Sequence, residues 1–199
     1  MSSTAHIERK TAPRAGAKRA RTRQKLLDVA TALFETRGIY RVSLDEIAAE
    51  AGVTKGAIYS SFASKDDLVF AMASERVERG LIAFDDQTPP REQLRALVRR
   101  TFGVSRKRTY FAFLAELDLY ALSRPDLSRR FMESARQRHA RSAAQLERFK
   151  DDLALPPLQF AIATQAIFAG LMFQRACFPD AISEAVALQA LGALLRRDG

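Results

Sequence analysis

The sequence of 199 residues contains one cysteine, two histidines and no tryptophan. The single cysteine, Cys177, excludes an internal disulfide and suits a reducing cytoplasm. His6 and His139 lie far apart, and no group of side chains in the sequence resembles a metal site. We therefore expect neither a metal ion nor another cofactor.

Signatures of catalysis and of membrane insertion are missing as well. The sequence has no Gly-rich phosphate loop, no nucleophile elbow and no histidine pair of the kind that holds a catalytic metal. It has no unbroken apolar run of about 18 residues, the length that crosses a bilayer. Its basic N-terminus lacks the apolar stretch of a secretory signal. We expect a cytoplasmic protein that is not an enzyme and does not contact a membrane.

Positive charge is concentrated at the start of the chain. The net charge is +9, and residues 1–25 alone hold eight Lys or Arg and one Glu. Residues 1–18 have no apolar periodicity, which predicts a disordered basic tail. Two interpretations of this tail stay open. It keeps the protein soluble, or it is an arm that follows DNA phosphates or enters the minor groove.

The segment from Ser43 to Lys65 has the pattern of a helix-turn-helix, which places one helix in the major groove of DNA. Ser43 and Glu46 predict a capping box at the start of the first helix. Gly52 ends that helix, as glycine does where the backbone needs positive φ. Thr54 caps the second helix, whose predicted buried side chains are Ala57, Ile58 and Phe62. An ordinary helical hairpin has the same caps, so the choice between a DNA-binding motif and a hairpin depends on the residues that face outward.

The outward face of the second helix favours DNA. None of its residues is acidic, and the free N–H groups of a helix N-terminus attract phosphate. Lys55 adds positive charge, Gly56 allows close approach, and Tyr59 can hydrogen-bond a phosphate. The predicted DNA-contacting residues are Ser43, Thr54, Lys55, Gly56, Tyr59, Ser60, Ser61 and Lys65.

Residues 20–80 resemble the DNA-binding domain of TetR-type transcriptional regulators. The motifs that carry the resemblance are, in chain order, Leu33-Phe34-Glu-Thr-Arg-Gly38, Ser43, Ile47-Ala48, Gly52-Val53, Tyr59, Phe62 and Ser64-Lys65. The chain departs from the family at Ser60 and Ser61, where many members have an aromatic residue or histidine. The operator sequence is therefore not carried over from the family.

The apolar spacing predicts further helices to the end of the chain and no strand. The first helix is predicted over Arg21–Arg37, the fourth over Ser64–Ala83 and the last over Ala181–Arg197. The fold class is therefore all-α with about nine helices. This order resembles the TetR pattern, in which residues 20–80 bind DNA and residues 81–199 form a helical ligand-binding and dimerisation domain.

A homodimer is predicted because one helix-turn-helix reads few base pairs, whereas two read a palindrome. The family pairs its last two helices across the dimer, which implies an interface at Phe168, Leu171, Leu188, Leu191 and Leu195. In the alternative interpretation these side chains form the core of a single subunit. The candidate ligand pocket comprises Phe102, Tyr110, Phe113, Glu116, Leu117, Tyr120, Phe168, Met172 and Phe173. Glu116 could face a cation or pair with Arg175, and His139 or Gln174 could orient a ligand.

The resemblance implies a repressor that binds a double-stranded operator as a dimer and is released by a small apolar or aromatic effector. An activator of the same family is one alternative. A helical protein-interaction module, or a DNA-coating protein without an effector, is another.

Overall fold

The computed structural model describes residues 12–80, 84–102 and 108–196, with side chains over residues 16–75, 84–102 and 111–196. In these ranges the chain forms nine α-helices and a 3-10 helix at Glu147–Asp152, so the all-α prediction is confirmed. The helices are α1 (Ala12–Arg37), α2 (Leu44–Glu50), α3 (Lys55–Ser61), α4 (Lys65–Gly80), α5 (Pro90–Phe102), α6 (Arg108–Leu122), α7 (Pro125–Leu146), α8 (Pro157–Cys177) and α9 (Glu184–Gly192).

Helix α1 begins at Ala12 rather than at the predicted Arg21. Residues 12–18, which we predicted to be disordered, are therefore helical. Proline suits the first turn of a helix, where Pro13 stands, and the alanines, arginines and lysine that follow are strong helix formers. They extend a helix that is already nucleated and packed further along the chain, which costs less than starting one. Residues 1–11 of the predicted tail lie outside the described residues.

The chain divides into two compact units between Met72 and Ala73. The division lies inside α4 and before the boundary that we predicted at residue 80. We call the part before it the N-terminal unit and the part after it the C-terminal unit.

Helices α1, α2 and α3 of the N-terminal unit pack around one small core. Gly38, with a φ of 86°, ends α1 and turns the chain towards α2, as predicted. The side chains that are fully buried here come from every element of the unit, so no helix is stable by itself. They are Leu26, Ala30, Ile39, Ile47, Ala51, Ile58, Leu68 and Val69, and Phe34 is only 1% exposed.

The core of the C-terminal unit is built from α5, α8, α9 and the segment after α7. Phe84 and Phe160 are in contact, with ring centroids 5.7 Å apart. The end of the described chain is tied down by two hydrogen bonds. Ala154 N–H donates to Leu194 O at 2.9 Å, and Arg196 N–H donates to Asp152 O at 2.9 Å. Around Phe160 the buried side chains are Phe84, Leu94, Val98, Leu146, Leu153, Ala161, Ala187, Leu191 and Leu195.

Helix α8 is more apolar than the sequence pattern led us to expect. By length and composition alone, Pro157–Cys177 could cross a membrane, with a mean hydropathy of 1.2 over its best window. Helices of globular proteins also reach this composition, so it is weak evidence for a membrane. Only 22% of that window is buried. Much of the apolar surface of α8 is therefore left uncovered by its own C-terminal unit.

Candidate nucleic-acid and effector sites

The helix-turn-helix begins at the predicted capping box. Ser43 N–H donates to Glu46 Oε2 at 2.7 Å, and Glu46 N–H donates to Ser43 Oγ at 3.2 Å. Arg37 Nη2, at the end of α1, donates to Glu46 Oε1 at 2.7 Å. The backbone and hydroxyl of Ser43, and then the guanidinium of Arg37, lower the pKa of Glu46 to about 2. The one carboxylate therefore both caps α2 and ties it to α1.

This arrangement predicts an acid-sensitive helix-turn-helix. A carboxylate whose pKa is lowered on folding stabilises the protein fully above its unfolded pKa, near 4.5, and the effect fades as the pH falls towards 2. We expect wild-type protein to unfold at a higher temperature than Glu46→Gln at neutral pH, and the difference to vanish through that window. Thermal unfolding followed by circular dichroism measures it, with Glu50→Gln on the same helix as control. A difference that persists at the lowest pH contradicts the assignment.

The turn between α2 and α3 follows the predicted chemistry. Gly52 has a φ of 62°, and Val53 N–H donates to Ala48 O at 3.0 Å. Thr54 Oγ1 accepts from Ala57 N–H at 3.2 Å and so caps α3. Lys25 of α1 reaches this turn, because its Nζ lies 3.9 Å from the position that a Cβ on Gly52 would take. Lys25 adds a positive charge beside the turn that sequence reasoning did not single out.

Helix α3 has one buried and one exposed side. Ile58 is fully buried and anchors the helix. Five of the predicted DNA-contacting residues are exposed at its start and along its outer side, with Tyr59 52% exposed. They are Thr54, Lys55, Gly56, Tyr59 and Ser60. The helix contains no acidic residue, so it presents N–H groups, an ammonium and hydroxyls to solvent.

The Ser60 hydroxyl donates to Ala57 O at 2.9 Å, and the three other predicted DNA-contacting residues also have contacts within the protein. Ser43 is occupied by the capping box. Ser61 is partly buried, and its hydroxyl donates to Ala57 O at 2.8 Å. Lys65 Nζ donates to Ile39 O and lies 5.8 Å from the centre of the Phe34 ring. The Lys65 ammonium thus joins the start of α4 to the α1–α2 turn, and its predicted contact with DNA stays a prediction.

Sequence reasoning missed the part played by Asp45. Asp45 lies in the first turn of α2, the helix that precedes α3. In the structure Lys55 Nζ donates to Asp45 Oδ2 at 2.6 Å, and Tyr59 OH lies 3.5 Å from Asp45 Oδ1. The hydrogen bond to Asp45, followed by its charge, raises the pKa of Lys55. Two of the predicted phosphate contacts therefore share one acidic neighbour in the free protein.

The candidate pocket residues of the C-terminal unit are mostly buried. Phe113, Leu117, Tyr120 and Met172 are less than a tenth exposed. Phe102, Glu116 and Phe168 are half-buried, whereas Phe173 is 47% exposed and points away from the core. The side chain of Tyr110 lies outside the described residues.

Helix α8, which carries three of the candidate pocket residues, and helix α7 also contain polar side chains. His139 Nε2 and Gln165 Oε1 are 2.8 Å apart and join the two helices. Thr164 is fully buried, and among the described residues its hydroxyl has no hydrogen-bond partner. A buried hydroxyl without a partner is uncommon in folded proteins. Arg175 stacks on the ring of Phe102 at 4.1 Å and donates to the Phe102 carbonyl at 3.4 Å, a contact that we did not predict.

The residues that we assigned to a dimer interface lie in the core of their own subunit. Leu191 is fully buried and Leu195 is 6% exposed. Phe168, Leu171 and Leu188 are half-buried and pack against the same cluster. Leu191 and Leu195 are therefore too buried to contact a second copy, whereas Phe168, Leu171 and Leu188 keep part of their surface exposed, so their place in an interface stays a prediction. Because α8 and α9 are apolar nearly all round, their sequences could not show which side faces inward.

The N-terminal unit matches known regulators. A family model described as bacterial regulatory proteins, tetR family, matches residues 26–72. The HTH-type transcriptional regulator AcrR of Shigella flexneri is 57% identical over 47 residues, which are 24% of this chain and 22% of AcrR. The HTH-type transcriptional activator FasR of Mycolicibacterium smegmatis is 36% identical over 84 residues, or 40% of this chain and 38% of FasR. The matches thus span well under half of either relative.

The fold as a whole matches a solved structure. The multidrug binding protein EbrR, complexed with ethidium, superposes with a TM-score of 0.64 and 28% identity over 88% of this chain and 99% of EbrR. EbrR has also been solved with malachite green. The capped helix-turn-helix and the matched segment agree: residues 26–72 form a helix-turn-helix domain of the TetR type, in a chain that shares its all-helical fold with EbrR.

Proposed function

We propose that the protein is a ligand-responsive repressor. In this proposal a homodimer binds a palindromic operator and leaves it when a small apolar or aromatic effector binds the C-terminal unit. The observation that carries the proposal is the division of α3 into two sides. Ile58 fixes the helix to the core, while Lys55 and Tyr59 stand exposed on an acid-free helix.

The composition of α3, and its attachment to the core through Ile58, suit this helix to the major groove. Phosphate contacts fix the register of a protein on the duplex, and contacts to base edges supply specificity. Lys55, Tyr59 and the α3 N-terminus offer the first kind of contact. Ser60 and Thr54 are exposed and short, so they can reach a base edge only if the helix lies deep in the groove.

A second copy of the chain is the proposed occupant of the exposed side of α8. Apolar or small residues recur there at intervals of three or four, which is one face of a helix. Leu158 and Ile162 are each 44% exposed, and Phe173 is 47% exposed. We call this face the α8 stripe; its residues are Leu158, Ile162, Ala166, Ala169 and Phe173. Pairing two such stripes about a two-fold axis buries both, and it places two recognition helices on one palindrome.

The effector site is proposed among α6, α7 and α8. Phe113, Tyr120 and Met172 are buried there, and aromatic and sulfur-containing side chains suit an aromatic ligand. The unpartnered hydroxyl of Thr164 and the pair of His139 with Gln165 supply polar groups that could orient it. EbrR, similar over nearly its whole length, has been solved with two aromatic dyes.

Helix α4 is the proposed path of coupling. Its backbone begins in the N-terminal unit at Lys65 and ends in the C-terminal unit at Gly80. An effector that favours a different placement of α4 would move the two recognition helices out of register with adjacent grooves. Such coupling between sites usually amounts to about 1–3 kcal/mol, or roughly a 5- to 150-fold change in affinity.

Operator binding is the direct test. Footprinting on the DNA that flanks the gene should show one protected palindrome with half-sites about ten base pairs apart. Replacing Lys55 with Gln should weaken binding at any sequence and reduce the slope of log K against log salt by about 0.9. Lys150→Gln, which removes an exposed lysine of the C-terminal unit, is the matched control. Equal affinity for the palindrome and for unrelated duplex in moderate salt would remove the case for a specific regulator.

Effector coupling is tested with malachite green. The dye should bind the protein alone, and the operator fragment should weaken dye binding by the same factor by which dye weakens operator binding. Dye titrated into the operator fragment without protein corrects for its own DNA binding. Unchanged operator affinity at saturating dye would show that this dye, if it binds, is not an inducer.

An activator is the second candidate, because FasR, one of the relatives matched in the N-terminal unit, is named an activator. The two outcomes differ in a reporter strain that lacks the gene. A repressor raises transcription from the protected promoter when it is deleted, and an activator lowers it.

A further inference from the structure

The Asp45 carboxylate contacts Lys55 and Tyr59, the two side chains of α3 that the proposed function assigns to DNA phosphate. The carboxylate accepts a hydrogen bond from Lys55 Nζ at 2.6 Å and lies 3.5 Å from Tyr59 OH. Both partners are on the outer side of α3, and all three groups are accessible to solvent. The Lys55 side chain is 73% exposed and the Asp45 side chain 42% exposed. The Lys55–Asp45 ion pair is therefore exposed to solvent and lies on the proposed DNA-facing surface.

A carboxylate oxygen and a phosphate oxygen make the same demands on Lys55 and Tyr59. Both are anionic acceptors, and both bind an ammonium or a phenol by charge-assisted hydrogen bonds. The Lys55 ammonium has three N–H donors, but a carboxylate and a phosphate held by the same ammonium repel each other, so the two anions compete for it. Asp45 also carries a negative charge of its own into the region where the phosphates would lie.

We propose that Asp45 is an internal competitor of DNA phosphate, which holds Lys55 and Tyr59 in the free protein and must be displaced when DNA binds. The inference rests on the proposed function, because it assigns the DNA-contacting role to the outer side of α3. Its consequence is a weaker non-specific affinity. Phosphate contacts supply nearly all binding to unrelated DNA, so a carboxylate that competes for them lowers binding to every sequence. The free protein is then less easily held on the excess of non-operator DNA.

The size of the effect follows from the kind of contact. Exposed ion pairs are weak, and the stronger of them correspond to roughly a two- to five-fold change in affinity. Asp45→Asn should therefore bind duplex DNA about two- to five-fold more tightly than the wild type. Most substitutions on a DNA-binding surface weaken binding, so an increase is a distinctive result.

The test is a double-mutant cycle between Asp45 and Lys55. The probe is a fluorescein-labelled duplex of random sequence, roughly 30 base pairs long, or three helical turns. Binding is followed by anisotropy at several salt concentrations. Asp45→Asn should tighten DNA binding in the wild-type background. In a Lys55→Gln background, the same substitution should tighten it by less than about 1.5-fold.

Two controls separate competition from other effects. Glu50→Gln removes an exposed negative charge from the same helix, and its effect on binding measures simple charge repulsion. Asp45→Ser removes the charge together with the reach to Lys55, so it should reproduce Asp45→Asn. Thermal unfolding of each Asp45 variant checks that α2 is still folded, because the substitution removes an acidic residue from the first turn of that helix.

The outcomes are distinct. A gain that is equally large in the Lys55→Gln background, or equal to that of Glu50→Gln, would overturn the inference in favour of through-space repulsion. Weaker binding by Asp45→Asn would overturn it too, since Asp45 would then position Lys55 for DNA. If all variants behave as expected on random duplex but no operator is found, the inference stands and the specific-repressor function fails.

Discussion

Phe173→Arg is expected to convert the proposed dimer into a monomer and to weaken operator binding by roughly 10²–10⁴-fold, the usual gain from joining two binding modules. Phe173 belongs to the α8 stripe and is 47% exposed in the isolated subunit. A guanidinium there is well solvated in the monomer. In a dimer it would be forced into an apolar interface without an acidic partner, which costs several kcal/mol.

Sedimentation velocity and operator titration measure the two consequences separately. The monomer should keep its helical circular dichroism signal, because Phe173 is not among the buried core residues of the C-terminal unit. Met132→Arg is the matched control, since Met132 is exposed to a similar degree, 51%, but lies on α7. That variant should remain dimeric. A Phe173→Arg protein that sediments as a dimer would move the interface away from the α8 stripe.

The same variant tests how the proposed effector acts. If induction works by changing the distance between two recognition helices, the monomer should bind a half-site with the same low affinity with and without malachite green. If the dye still alters half-site binding by the monomer, the change occurs within one subunit. The coupling through α4 would then not require a partner.

Local rules were sufficient to predict the helix-turn-helix and its caps. The capping box of Ser43 and Glu46, the cap at Thr54 and the positive φ of Gly52 are set by residues within four positions of one another. Such features are encoded in short segments and survive in any tertiary setting. The same holds at the start of α4, where Asp67 N–H donates to Ser64 Oγ at 3.1 Å.

Contacts between distant segments were not predictable in the same way. Lys65 pairs with a carbonyl 26 residues earlier in the chain, and a lysine near the start of a helix gives no sign of that partner. Asp45 and Lys55 are ten residues apart across a turn, so their contact depends on the angle between α2 and α3. Reading α2 and α3 as separate surfaces, one acidic and one basic, concealed the ion pair between them.

The dimer residues were difficult to assign from the sequence for a different physical reason. Helices α8 and α9 carry apolar residues on nearly all sides, so periodicity gives no direction to their faces. The larger side chains, such as Leu191 and Leu195, were chosen for the interface, but large side chains are also those that best fill a subunit core. Only burial in the folded subunit separates these from Leu158, Ile162 and Phe173, which remain exposed.

Ile58→Ala is expected to abolish operator binding at physiological temperature while leaving the dimer intact. Ile58 is fully buried and is the buried residue of α3. Truncating a buried isoleucine to alanine costs about 2–5 kcal/mol, part of it for the cavity left behind. Small domains have total stabilities of only about 5–15 kcal/mol. The N-terminal unit would thus lose a large fraction of its stability.

The loss should be confined to one unit. A helix of seven residues is far too short to be stable by itself, so α3 depends on the contact that Ile58 makes. The C-terminal unit has its own core around Phe160 and does not include Ile58. Calorimetry should therefore show the transition of the N-terminal unit moving to lower temperature, with sedimentation still reporting a dimer.

Ile58→Val distinguishes loss of anchoring from loss of a DNA contact. It removes one methylene and should cost about 0.5–1.5 kcal/mol, which leaves α3 folded. If Ile58 acts only by holding the helix, Ile58→Val binds the operator like the wild type, and Ile58→Ala regains part of its binding when cooled below its lowered transition. Lys55→Gln, by contrast, should weaken binding at every temperature without moving the transition. Ile58→Ala protein that unfolds like the wild type yet fails to bind DNA would contradict the division of α3 into an anchoring side and a contacting side.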